Sequence, residues 1–110
     1  MVATAPEVGE VVRSILHELK STLRVDKLIL FGSYVSGRPQ KWSDIDLAVI
    51  SPDFSDIPIW RRQEMLAEAL PESDVRLSPI GYSPEDLAKP TPFLREIIRT
   101  GRVVYPKPEA

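Results

Sequence analysis

The sequence contains no cysteine, which excludes a disulfide scaffold, thiol catalysis and thiolate metal sites. Histidine is nearly absent too. His17 stands alone, so a multi-histidine metal site is excluded and a single candidate remains for a histidine base. No apolar run approaches the ~18–20 residues of a membrane span, and Met1–Pro6 lacks the character of a signal peptide. An excess of positive charge is also missing. Fourteen Lys and Arg face sixteen Asp and Glu, a net charge of −2, so no strong nucleic-acid surface is expected. From these absences a cytoplasmic protein with no membrane partner is expected. At 110 residues the chain is expected to form a single domain over 1–110, with one core and one shallow site.

The charge that is present is unevenly placed. Residues 41–86 hold ten acidic and four basic groups, which suits either a solvated surface or carboxylates collected for a cation. The apolar residues define the elements around them. Val8, Val11, Val12, Ile15, Leu16, Leu19 and Leu23 fall on one helical stripe. With Thr4 and Glu7 as a capping box, they predict a helix over about Pro6–Leu23. Val25–Phe31 reads as a buried strand that stops at Gly32, and Asp44–Ile50 as a second strand. A loop over 53–58 leads to a helix over Trp60–Leu70, with Asp56 as its cap and Pro58 in its first turn.

Asp74–Ile80 alternates as a third strand, which Pro79 confines to a sheet edge or ends. Ser83–Asp86 opens a single helical turn. Thr91, Pro92 and Gly101 bracket a last helix, and Val103–Tyr105 adds a short strand before a Pro-rich tail over about 106–110 that is expected to fray. The expected class is α/β (α+β), a small mixed β-sheet backed by helices.

The chemistry gathers between Phe31 and Ile50. Gly32 permits a tight turn, and the free N–H groups that follow, with the Ser33 hydroxyl, form a cradle suited to phosphate. After ten intervening residues come Asp44 and Asp46. Strand alternation points both carboxylates to one face, roughly 6.6 Å apart along the strand. Ile45, Leu47 and Val49 take the other face and anchor it in the core. Taken singly, Gly-Ser is a common turn and Asp-x-Asp a common strand start. Together, between two strands, they suit a pair of hard divalent cations held beside a phosphate chain.

In the setting FGSYVSGRPQKWSDIDLAVI, these residues resemble the signature of the minimal nucleotidyltransferases, small members of the polymerase beta superfamily. The resemblance runs from about Val25 to Tyr105 and includes the ending FLREIIRTGRVVY. It implies a nucleotidyltransferase fold like the polymerase beta palm. It also implies a Mg-NTP substrate, ATP in the first instance, and transfer of a nucleoside monophosphate to a hydroxyl of a protein or RNA. Gly32 and Ser33 would hold the β- and γ-phosphates, while Asp44 and Asp46 would ligate Mg2+, as two ions. The family's third carboxylate matches Asp74, which would complete the metal site and accept the attacking hydroxyl's proton. A strand shifted by two would bring Arg76 there instead.

Many relatives carry a basic residue two or four positions after the serine, numbering from it as one. Tyr34 and Ser36 stand at the corresponding places here, leaving Arg38 or Lys41 to supply charge toward the triphosphate. Some members act as antitoxins beside a HEPN-type toxin, which makes such a protein a candidate partner. A module that neutralises its partner by contact, with little catalysis, is the alternative. The sequence leaves the oligomeric state open, a homo-oligomer included.

The remaining polar and aromatic residues read more plainly. His17 lies off the apolar stripe and is expected at the surface. Trp42 suits either a nucleobase or a loop anchor, and Trp60, Met65, Leu66 and Leu70 are expected in the core. Arg95, Arg99 and Arg102 read as a solvated face rather than a docking stripe.

Overall fold

Alternating apolar residues on the central strands create two buried faces, and the helices are divided between them. A computed structural model describes residues 5–32, 35, 45–70 and 77–106, with side chains from residue 9 onward. The order is α1 (Ala5–Lys20), β1 (Lys27–Phe31), β2 (Ile45–Ile50), a 3-10 turn (Pro52–Phe54), α2 (Ile59–Ala69), β3 (Leu77–Tyr82), α3 (Pro84–Ala88), α4 (Pro92–Thr100) and β4 (Arg102–Tyr105). The expected α-β-β-α-β-α-β succession is present, and the four-stranded sheet runs β3-β2-β1-β4. β1 is antiparallel to both β2 and β4, whereas β2 and β3 are parallel, so the sheet is mixed. Pro79 sits on β3, an edge strand, where its missing N–H leaves no ladder bond unmade on the open side.

One face of the sheet buries Leu28, Leu30, Ile45, Leu47 and Val49 against Val12, Ile15 and Leu19 of α1 and Leu66 and Ala69 of α2. Phe54, fully buried, closes this layer from the 3-10 turn. The other face buries Ile29, Ala48 and Ile50 against Tyr82 and against Leu94 and Ile97 of α4. Burial of this apolar area at ~25 cal/mol per Å2 is the main drive for the packing.

Several boundaries differ from the sequence expectation. α1 stops at Lys20 rather than Leu23, because the N–H groups of Ser21 and Thr22 turn to Glu18 and Leu19 carbonyls three residues back. The chain tightens there, yet Leu23 still enters the core. Thr4 and the Glu7 side chain lie outside the described residues. Asp56 does not cap α2. It adopts a left-handed φ of 62°, and Pro58 takes the cap position without a side-chain bond.

Trp60 is not in the core either; it is 66% exposed. The buried stripe of α2 runs through Arg62, Leu66 and Ala69, four and three residues apart, and Trp60 falls on the far side of it. Leu66 is buried as expected, and Met65 and Leu70 pack against the same core. His17 is exposed, also as expected. β3 (Leu77–Tyr82) runs two residues past the expected end, and its expected start at Asp74 lies outside the described residues.

The caps near the C-terminus follow the sequence closely. Ser83 and Asp86 form a reciprocal capping box at α3, and the Thr91 hydroxyl accepts from the Leu94 N–H at 3.3 Å to start α4. Gly101 ends α4 for reasons of space. A Cβ there would lie 2.5 Å from the Ile97 carbonyl and 2.6 Å from Ile29.

One buried side chain ties three elements together. Arg62, 7% exposed, donates through Nε to the Ile57 carbonyl at 2.7 Å. Its Nη1 donates to the Gly81 carbonyl at 3.2 Å and to Asp86 Oδ2 at 2.6 Å. Burial pushes the Asp86 carboxyl up, but the Ser83 N–H and the Arg62 guanidinium outweigh it and hold the group below its usual range.

Arg62→Leu removes the hydrogen bonds to the Ile57 and Gly81 carbonyls and the cationic partner of Asp86. The expected cost is about 2–3 kcal/mol in urea unfolding. A depressed folded-state value means that Asp86 stabilises the fold fully above about pH 4, its unfolded value, and that this contribution is lost as pH falls through the folded value. Asp86→Asn is accordingly expected to flatten the acid-side fall in thermal stability, read from melting curves at decreasing pH.

Candidate functional site

β1 ends at Phe31, and Gly32 then turns the chain with a φ of +80°, a conformation that glycine adopts without the clash of a Cβ. The Val35 N–H donates to the Gly32 carbonyl at 3.1 Å, and Val35 itself is helical. Val35 packs its side chain onto the α1/α2 core. Gly32 is exposed at the end of the strand.

Asp46 comes to the same place from β2. It stands opposite Phe31 across the antiparallel pair and beside Ser78 in the parallel pair. Its neighbours Ile45 and Leu47 are buried at 1% and 0%, which commits Asp46 to the opposite face. That is the face of Ala48 and Ile50, and Asp46 is half-buried there. The alternation expected from the sequence therefore holds over the described part of the strand.

The two halves of the motif touch. A Cβ built on Gly32 would lie inside contact distance of Asp46 Oδ2 and 3.1 Å from its Cγ. The carboxylate occupies the space that any side chain at position 32 would need. Glycine is thus required twice, for its φ and for the close approach of an acid to the backbone.

The other expected site residues are not described. Ser33, Arg38, Lys41, Asp44 and Asp74 all lie outside the described residues, as does Trp42. Among the described residues no three acidic or histidine groups gather to hold a metal ion, and Asp46 represents the expected acidic set. The available donors are of one kind. The chain has no Cys, and His17 sits exposed on α1, which packs on the other side of the sheet from Asp46. A site at Asp46 therefore offers carboxylate, hydroxyl and carbonyl oxygens, a donor set that fits Mg2+ and not a soft metal.

Sequence reasoning missed Phe31 and Ser78 as neighbours of Asp46. Both follow from strand register, which the pattern of a single strand does not carry. The one available signal was parity, since Phe31 immediately precedes the glycine turn.

Gly32→Ala is expected to cost about 1–2 kcal/mol, the usual penalty of a left-handed residue with a Cβ. The added methyl also displaces the Asp46 carboxylate. The expected signature is a mild loss in thermal stability, read from melting curves of the altered and unaltered chains side by side.

The chain is similar to known proteins over nearly its whole length. The model of the family described as nucleotidyltransferase domain matches residues 12–105. The Haemophilus influenzae protein named "Probable protein adenylyltransferase MntA" is 36% identical over 99 residues, which cover 90% of this chain and 79% of that protein. A Methanocaldococcus jannaschii protein named "Putative protein adenylyltransferase" is 39% identical over 46 residues, 42% of this chain and 54% of its own length. The crystal structure of "a putative nucleotidyltransferase" from Sulfolobus solfataricus aligns with a TM-score of 0.65 at 14% identity. It covers 86% of this chain and 77% of that one, and it shows the shared fold. With the matched region running from the stripe of α1 to the last strand and taking in both Gly32 and Asp46, this chain belongs to the nucleotidyltransferase domain family and is a transferase.

Proposed function

We propose that the protein is a Mg-dependent nucleotidyltransferase that moves AMP from ATP to a hydroxyl of a partner protein. The observation that carries this reading is the seating of the Asp46 carboxylate against the Gly32 backbone, which joins the phosphate-cradle half of the motif to its acidic half. The names of the two relatives as protein adenylyltransferases support the choice of ATP and of a protein acceptor. The HEPN-type toxin implied by the sequence resemblance is the candidate acceptor.

In this reading, Gly32 and Ser33 receive the β- and γ-phosphates on backbone N–H groups and a hydroxyl, with Arg38 or Lys41 adding positive charge. Asp44 and Asp46 would hold Mg2+, with Asp74 as the third carboxylate. The metal, when bound, neutralises the triphosphate and lowers the pKa of the attacking hydroxyl. The acceptor oxygen attacks the α-phosphorus in line. The bond from that phosphorus to the bridging oxygen breaks, pyrophosphate leaves, and the hydroxyl proton passes to Asp74. Counting back in twos from Ser78, the neighbour of Asp46, reaches both Arg76 and Asp74, so substitution has to decide between them.

Calorimetric titration of ATP into the full chain, with Mg2+ and then with EDTA, tests the site. Binding is expected with the metal only, and Asp46→Asn is expected to abolish it while leaving the melting temperature nearly unchanged. Equal ATP binding in EDTA, or in Asp46→Asn, overturns the reading. Turnover is followed as transfer of label from α-labelled ATP to the acceptor, and Asp74→Asn is expected to bind nucleotide but not transfer it.

A further inference from the structure

The face of the sheet that carries Asp46 also carries an aromatic pair. Phe31 lies directly across from Asp46, and residues so paired bring their β-carbons within about 4.5–5.5 Å on one face. Phe31 is half-buried and belongs to the rim of the second core. Against it stands Phe93, from the first turn of α4, with ring centroids 6.2 Å apart and planes at 84°. In this edge-to-face arrangement Phe93 keeps an open ring surface. It is 56% exposed, although Leu94 and Ile97 of the same helix are 1% and 2% exposed. Phe93 is thus a large apolar ring that meets Phe31 edge to face, stands more than half exposed, and is separated from the motif acid by that one side chain.

Helix α4 does not need this ring for its own packing, since Leu94 and Ile97 supply its contact with the core. Its start is fixed by the Thr91 cap and Pro92. A triphosphate seated at Gly32 and Asp46 would leave its nucleoside part free to lie over the sheet face that Phe31 and Phe93 share with that acid.

We propose that Phe93, braced by Phe31, is the shelf on which the base of the bound nucleoside triphosphate stacks. This rests on the nucleotide-site reading above and adds a residue that sets affinity for the nucleoside part. Every base has a π-face, so such a shelf favours bases by stacking area, purines over pyrimidines, rather than reading their edges.

The test compares Mg-ATP with Mg-tripolyphosphate by calorimetry on the full chain and on Phe93→Ala and Phe93→Trp. Phe93→Ala is expected to weaken Mg-ATP roughly tenfold, the order of loss when a base-stacking aromatic is removed. Its tripolyphosphate affinity is expected to stay unchanged, and Phe93→Trp to restore or tighten ATP binding. Equal affinity of the unaltered chain for ATP and tripolyphosphate overturns the shelf while leaving the phosphate site standing. Undiminished ATP binding in Phe93→Ala does the same, and so does a parallel fall for both ligands, which marks a packing role or a seat for a partner's apolar side chain. If the unaltered chain binds neither ligand, the nucleotide site itself fails and the shelf with it.

Discussion

The pairing of β1 with β2 is the constraint on which the rest depends. Its register sets Phe31 opposite Asp46 and so brings the end of one strand to the start of the other. Both strands are internal to the sheet, with helices on each side, and neither has a spare face. A slip of one residue turns every side chain of β2 to the opposite layer. Asp46 would then point among Val12, Leu30 and Leu66, where an unpaired carboxylate costs several kcal/mol at least. The hydrophobic pattern of β2 thus determines the position of its acid as firmly as it determines the core.

The second layer adds a different kind of order. It is thinner than the first and is built from α4 and the residues before it. Arg62 reaches across from α2 to hold the Gly81 carbonyl and Asp86, which fixes how β3 hands the chain to α3 and then to α4. The helix that carries Phe93 therefore follows a junction tied by a half-buried ion pair. Gly81 takes part in the same junction, because a Cβ there would lie 2.8 Å from the Phe54 ring. Close packing around a few glycines and one arginine does for this small domain what a larger core does for a bigger one.

Most of the architecture was legible in the sequence. The succession of elements, the α4 cap at Thr91, the capping box at Ser83 and the inward set Ile45, Leu47 and Val49 follow from local rules, and local rules suffice for them. The misplacements have a common physical origin. Trp60 was assigned to the core because it is large and apolar, but helix phase is set by Arg62, Leu66 and Ala69, and a buried arginine is invisible to a hydrophobic pattern. Asp56 looked like a cap because aspartate often is one, yet tolerance of a left-handed φ is the property used here.

At the site, the Gly32 and Asp46 halves of the motif were found by spacing, and their contact could only come from the pairing of two strands. Phe31, Ser78 and Phe93 come near Asp46 through register and helix docking, and no single segment records either. Asp44 and Asp74, by contrast, were read from the chain and lie beyond the described residues.

The last strand has one further consequence. β4 pairs along β1 through Leu30 with Arg102 and Leu28 with Tyr105, and it is what separates β1 from open solvent on that side. Its partner lies some seventy residues earlier in the chain, so this contact is the most distant in the sheet and among the slowest to close by loop entropy. Until Arg102–Tyr105 arrives during synthesis, the strand leading into Gly32 presents unpaired N–H and C=O groups as a template for another chain. A chain cut short before Arg102 is therefore expected to be prone to edge-to-edge association.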